Sequence, residues 1–150
     1  MSQSEGHHHC GSCCAFPHSI FADLPPHLLD ELVALKRHAS FTQGEVLIAA
    51  GQPFTGIICL QSGSVALSEG KCDTEEAIYI GSAGEAFGLR DLNVSETNTR
   101  EITGREPGHY CFIPKETLTR LSMLEPRLMV AIIRQLCHRV SHIERSAYGA

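Results

Sequence analysis

Cys10, Cys13 and Cys14 fall in HHHCGSCCAFPHS, residues 7–19, directly behind a run of three histidines. A C-x2-C pair is the spacing with which one short loop brings two thiolates to a metal or a metal cluster, and imidazole adds a further donor type. The same pair can close a redox disulfide. Residues 1–19 carry no apolar periodicity, so they build no core and are expected to be a mobile tail unless a ligand orders them. The histidine run is expected to be solvent-exposed tail. Cys59, Cys72, Cys111 and Cys137 raise the total to seven, an odd number unevenly spread and unlike a small secreted disulfide scaffold. In a reducing compartment such clustering points to metal binding or redox sensing. Cys59 and Cys72 have no spaced partners and are expected to be core or turn cysteines.

The totals narrow the choice. A chain of 150 residues fits one domain with its own core. A net charge of −5 disfavours general nucleic-acid binding by this chain alone, because backbone phosphates demand clustered Lys and Arg. No run approaches the ~18 apolar residues of a membrane span. The start MSQSEGHHH lacks the basic and apolar stretches of a secretory signal, so the expected compartment is the cytoplasm. No G-x-S-x-G or other nucleophile arrangement stands out, and no enzyme is expected.

The elements that must position these residues follow from periodicity. FADLPPHLLDELVALKRHA predicts a short helix with Pro25 and Pro26 at its entrance and Leu28, Leu29, Leu32, Val33 and Leu35 on its apolar face. Between Phe41 and Ile113, short apolar runs alternate with glycines, the pattern of an antiparallel sandwich or barrel, here a β-roll. KETLTRLSML predicts another short helix, stopped by Pro126. The fold class is therefore mainly β with flanking helices. It divides into a tail (1–19), a helix plus β-roll (20–124) and a long helix (125–150). In that last helix Met129, Ile133, Leu136, Val140, Ile143 and Ala147 form a heptad seam suited to a homodimer, while Leu128 and Ile132 form a second stripe facing the strands. Arg134, Arg139, Glu144 and Arg145 are expected on its solvated face, and Cys137 beside Leu136 in packing. His138 and His142 stand one turn apart but lack a third metal ligand nearby.

This order of elements resembles the sensor domain of the CRP/FNR regulators. The residues that carry it are FTQGEVLIAAG (41–51), IICLQSGSV (57–65), GEAFG (84–88) and CFIPKETL (111–118). The resemblance implies a double-stranded β-helix, jelly-roll-like, of the cyclic-nucleotide-binding type, followed by a dimerisation helix. In the catabolite-activator branch a Glu after GE-F-G holds the ribose, and an Arg followed by a small residue holds the cyclic phosphate. Here Leu89 takes the Glu position, Asn98 lies near the Arg position, and the displaced Arg100 is followed by Glu101. A Glu beside the one candidate cation argues against a buried phosphate.

The iron–sulfur FNR branch fits better. Its 4Fe-4S ligands are a C-x2-C-x5-C tail and a cysteine ahead of I-P-x-E-T-L, matched by Cys10, Cys13 and Cys111. The remaining ligand position falls on Ser19, so Cys14, His18 and Ser19 stay open as the fourth ligand. The resemblance implies a transcription-regulatory sensor of oxygen, nitric oxide or redox state that acts through dimerisation. DNA would be reached only through a helix-turn-helix domain beyond Ala150, so a sensor fragment is expected. Zinc, haem or no cofactor are the alternatives, as is a small-anion module built around Arg90 and Arg100.

Overall fold

The computed structural model describes residues 16–69, 77–92 and 94–148. Cys10, Cys13, Cys14 and Cys72 lie outside the described residues, as does the side chain of Ala147. Two four-stranded antiparallel sheets form the β-roll. One has the order β1 (Arg37–Phe41), β8 (Gly108–Pro114), β3 (Gly56–Leu60), β6 (Ala86–Phe87). The other runs β2 (Val46–Ile48), β7 (Glu101–Glu106), β4 (Ser64–Ser68), β5 (Tyr79–Gly81). Among the described residues three α-helices flank them: α1 (Pro26–Leu35), α2 (Lys115–Leu124) and α3 (Pro126–Tyr148). The expected architecture is present, and no helix among the described residues is long and apolar enough to cross a membrane.

The two-residue period of the strands sorts side chains into two cores. Ile58 and Leu60 of β3 point inward with Phe87, Val65, Leu67 and Ile102 to fill the roll. Ile57 and Ile113 point outward, and with Cys111 they meet Leu28, Leu29 and Leu32 of α1, Leu118 and Leu121 of α2, and Leu128 and Ile132 of α3. Pro26 opens α1, where a missing N–H costs nothing, and the Lys36 N–H closes it on the Leu32 carbonyl. Leu35, expected on the apolar face, is exposed. One residue, Glu125, separates α2 from α3.

Part of the tail is built into the body. Phe16–His18 make a 3₁₀ turn, Phe16 packs on the outer core, and Ile20 and Phe21 are buried in it. The turn before β6 makes room for them. Gly84 has φ +95°, and a Cβ placed there would sit 2.7 Å from that of His18. Burial begins at Ile20, and the turn just before it reaches the body only through the partly buried Phe16.

α3 confirms one stripe and divides the other. Leu128 and Ile132 are buried against the body as expected. Of the seam, Met129, Ile133 and Val140 are exposed, whereas Leu136 and Ile143 lean onto the body, one on each core. Cys137, expected in packing, is exposed.

Candidate functional site

Two places concentrate chemistry. The first is a thiol-bearing strip on the outward face of the first sheet. Cys111 on β8 stands directly opposite His38 on β1 and Cys59 on β3, and Cys59 stands opposite Ala86 on edge strand β6. Residues facing one another across strands lie on the same side of a sheet. Cys59 and Cys111 line one small cavity of about 40 Å³ together with Phe16, Ser19, Lys36 and Gln61. The His38 Nε2 lies 2.6 Å from the Gln61 Oε1, and its ring stacks on that of His109 at 5.3 Å.

The ligand positions expected from sequence separate here. Cys111 and Ser19 share the cavity. The Ser19 hydroxyl is engaged in its own turn, donating to the Phe16 carbonyl at 2.9 Å and accepting from the Phe21 N–H at 3.2 Å. His18 opens instead onto a surface hollow with Tyr79, Glu85, Gln135 and His138. Among the described residues no group of three or more His, Cys, Asp or Glu is placed to hold a metal ion. The donor set fits a soft, thiolate-bound centre only if the cysteines of residues 10–14 complete it. Cys59, expected to be a core or turn cysteine, packs partly buried against the outer core, and its pairing with β8 was not visible because that strand is distant in sequence. The alternation with Ile58 and Leu60 does tell which face it takes.

The second place is a cavity of about 460 Å³ between the roll and α3. Arg90, Arg100 and Arg139 edge it, and Ile48, Leu67 and Ile102 are part of its apolar wall. The Arg100 Nε lies 3.5 Å from the Glu69 Oε1, an ion pair without hydrogen-bond geometry, so that buried N–H has no acceptor among the described residues. Burial, and then the Arg90 charge, pull the Arg100 pKa down. Asp91, 5% exposed, accepts from the Thr99 N–H at 3.1 Å and the Thr99 hydroxyl at 2.8 Å, fixing the strand entrance beside Arg100.

Arg139 corrects the sequence reading outright. Expected on the solvated face, it is 6% exposed. Its Nη2 donates to the Ala86 carbonyl at 2.7 Å, and the guanidinium lies 4.3 Å from the Phe87 ring centre and 5.3 Å from that of Tyr79. One turn earlier the Gln135 side-chain oxygen accepts from the Ala86 N–H at 2.6 Å. Two residues of α3 thus satisfy both backbone groups that edge strand β6 would otherwise leave open. Tyr79 donates to the Glu85 carboxylate at 2.5 Å, and burial together with that carboxylate pushes its pKa up to about 12.

The positions compared with the catabolite-activator branch fall as follows. Arg100 does reach the cavity, whereas Glu101 stands outside its wall as the first residue of β7. Asn98 is turned away, donating to the Ala49 carbonyl at 3.0 Å. Leu89, where a ribose-binding Glu was expected, is buried. Glu144 is exposed, as expected, at the edge of the cavity.

Two packed antiparallel sheets, a cavity beneath a long C-terminal helix and a buried cation at its rim define a β-roll with a candidate ligand cavity. Residues 38–124 match the cyclic nucleotide-binding domain, and the chain belongs to that family. Among solved structures it resembles the sensor domain of the transcriptional regulator DNR from Pseudomonas aeruginosa, with 18% identity, TM-score 0.69 and 89% of each chain covered. It is also similar to the catabolite activator protein of Thermus thermophilus, with 18% identity, TM-score 0.68, and 85% of this chain and 61% of that one covered. The c-di-GMP-responsive global regulator CLP of Xanthomonas campestris gives 22% identity, TM-score 0.70, and coverage of 84% and 66%. At these identities the likeness is one of fold. Comparison with curated proteins returns no match.

Proposed function

We propose that this chain is the sensor domain of an FNR-like transcriptional regulator, with an iron–sulfur cluster between Cys111 and the tail cysteines Cys10 and Cys13. The supporting observation is the shared cavity: Phe16 and Ser19 line the same hollow as Cys111. An extended chain spans at most ~3.5 Å per residue, which keeps Cys13 within about 10 Å of Phe16 and Cys10 within about 20 Å. When bound, the cluster supplies an oxidisable bridge between tail and sheet, sensitive to oxygen or nitric oxide.

The residues of this chain couple that bridge to an output. Ile20 and Phe21 share a core with both Cys111 and the α3 residues Leu128 and Ile132. Tethering the segment before Ile20 therefore restrains the base of α3, and α3 carries Met129, Ile133 and Val140 exposed for a second copy. Whichever state holds the tether is favoured by its binding energy. DNA contact belongs to a separate domain. Anaerobic reconstitution with iron and sulfide tests the reading. Visible absorption and bound iron are expected, and a colourless, iron-free chain would reject it.

A second reading has its own observation. The buried Nε–H groups of Arg100 and Arg139 lack acceptors among the described residues beside the 460 Å³ cavity, as for a small anionic effector. A thermal shift with cyclic nucleotides that survives substitution of Cys10 and Cys13 would favour it over the cluster.

A further inference from the structure

We infer that Cys59 and Cys111 form a redox-active dithiol, which hydrogen peroxide, small enough for the hollow they share, oxidises to a reversible cross-strand disulfide. The inference goes beyond the cluster reading and does not need it, since neither iron nor the tail enters the reaction.

The strand geometry carries the argument. The Leu60 N–H donates to the Glu85 carbonyl and the Leu60 carbonyl accepts from the Gly84 N–H, so the backbone of Leu60 faces the β6 side. The Gln61 N–H donates the other way, to the His109 carbonyl on β8. Backbone groups alternate along a strand, and those of Cys59 therefore face β8, where Cys111 stands directly opposite. This makes a hydrogen-bonded cross-strand pair, with Cα atoms ~5.5 Å apart and both side chains on one face of the sheet. A disulfide accepts Cα separations of ~4.4–6.8 Å, so the strands already hold the pair within bridging distance. Cβ atoms of opposed residues stand ~4.5–5.5 Å apart, whereas a disulfide takes ~3.5–4.5 Å. Closure therefore draws β3 and β8 together by up to about 1 Å, and a bridge strained in this way is readily reduced again.

The surroundings suit a small oxidant. Both thiols line one apolar hollow of about 40 Å³. A water molecule needs ~10–15 Å³ measured in this way, so a molecule of two heavy atoms fits where a bulky oxidant does not. Cys59 is half-buried and Cys111 is 9% exposed, which makes Cys59 the thiol that meets peroxide and Cys111 the one that resolves it. The Cys59 sulfur attacks one peroxide oxygen, the O–O bond breaks, and the departing hydroxide takes the thiol proton as water, leaving a sulfenic acid. The Cys111 sulfur then attacks that sulfur, the S–O bond breaks, and a second water leaves with the Cys111 proton. Two thiols and one peroxide become one disulfide and two waters, each sulfur losing one electron and each peroxide oxygen gaining one. Cys111 packs in the outer core with Leu128 and Ile132, so a shift of β8 at this point is passed to α3.

The test uses the 150-residue chain, reduced, freed of metal by a chelator and treated with one equivalent of hydrogen peroxide under exclusion of air. Remaining thiols are blocked with iodoacetamide, and the chain is digested with trypsin in the absence of reductant. The Lys and Arg positions put Cys59 on residues 38–71, Cys111 on 106–115, Cys137 on 135–139, and Cys10, Cys13 and Cys14 on 1–36. Mass spectrometry should find 38–71 joined to 106–115, lighter by two hydrogens than the separate peptides and split by dithiothreitol. Cys137, exposed on α3, should be alkylated with or without peroxide. Cys111→Ser should stop at a Cys59 sulfenic acid that dimedone traps, whereas Cys59→Ser should leave Cys111 reduced, with thermal unfolding as the control for folding. Full alkylation of both thiols after peroxide would overturn the inference, as would bridges from either one to the 1–36 peptide in place of each other, or a bridge that forms only in urea. Iron uptake is no part of the readout, so failure of the cluster reading leaves this result standing, and the reverse.

Discussion

Replacing Arg139 by methionine tests how α3 is held to the roll. The guanidinium donates to the buried Ala86 carbonyl at 2.7 Å, a charge-assisted bond of ~1.5–3 kcal/mol. It also lies over Phe87 and Tyr79, contacts of ~0.5–2 kcal/mol each when shielded from water. Against this stands the cost of keeping a cation dehydrated, several kcal/mol, with Arg90 and Arg100 lining the same cavity. Methionine fills the stem volume, removes that cost and leaves the Ala86 oxygen without its donor. The balance is a net loss of about 2 kcal/mol, which in a domain of this size lowers the midpoint by ~4–8 °C. Thermal unfolding followed by circular dichroism measures it, and hydrogen exchange at Ala86 and Phe87 should quicken alongside. An unchanged or raised midpoint would show that dehydration outweighs the bond and the stacking, and that Arg139 does not fasten α3.

Other consequences are equally direct. Gly81→Ala places a methyl 1.9 Å from the Phe87 ring in a filled core, so destabilisation of ~1–3 kcal/mol or more, or loss of soluble protein, is expected in denaturant titration. Tyr79 should ionise near pH 12 in the folded chain and near pH 10 once unfolded. Because folding raises this pKa, its contribution to stability is intact below about pH 10 and is lost as the pH climbs towards 12; absorbance titration and alkaline unfolding of Tyr79→Phe check this. Glutamate at Ile133 and Val140, both exposed, should leave the fold intact but abolish self-association in sedimentation velocity. If the cavity takes an anion, Arg100→Gln should erase any ligand-induced thermal shift without lowering the midpoint of the ligand-free chain, since it removes a buried, imperfectly paired charge.

The roll was legible in sequence because its signals are local. Glycines punctuate short apolar runs, and Pro25, Pro26 and Pro126 bracket the helices. Leu128 and Ile132 were correctly turned inward by helical spacing alone. What stayed hidden depends on which strands meet. Cys59 looked solitary since its neighbour Cys111 is far along the chain, brought beside it only by the β3–β8 pairing. Arg139 was assigned to solvent because helical periodicity marks it as polar, whereas the edge of β6 offers that charge a carbonyl and two aromatic faces. Glu101 was judged by its adjacency to Arg100, yet of the two only Arg100, just ahead of β7, lines the cavity.

The single residue between α2 and α3 makes the long helix a lever with a short hinge. Ile132 lies seven residues beyond Glu125 and Tyr148 twenty-three, about 10 Å and 34 Å along the axis at 1.5 Å per residue. A tilt that moves Ile132 by ~1 Å therefore carries the far end by ~3 Å. Small rearrangements under the base of this arm would arrive at its tip enlarged about threefold, with no bending of the helix needed.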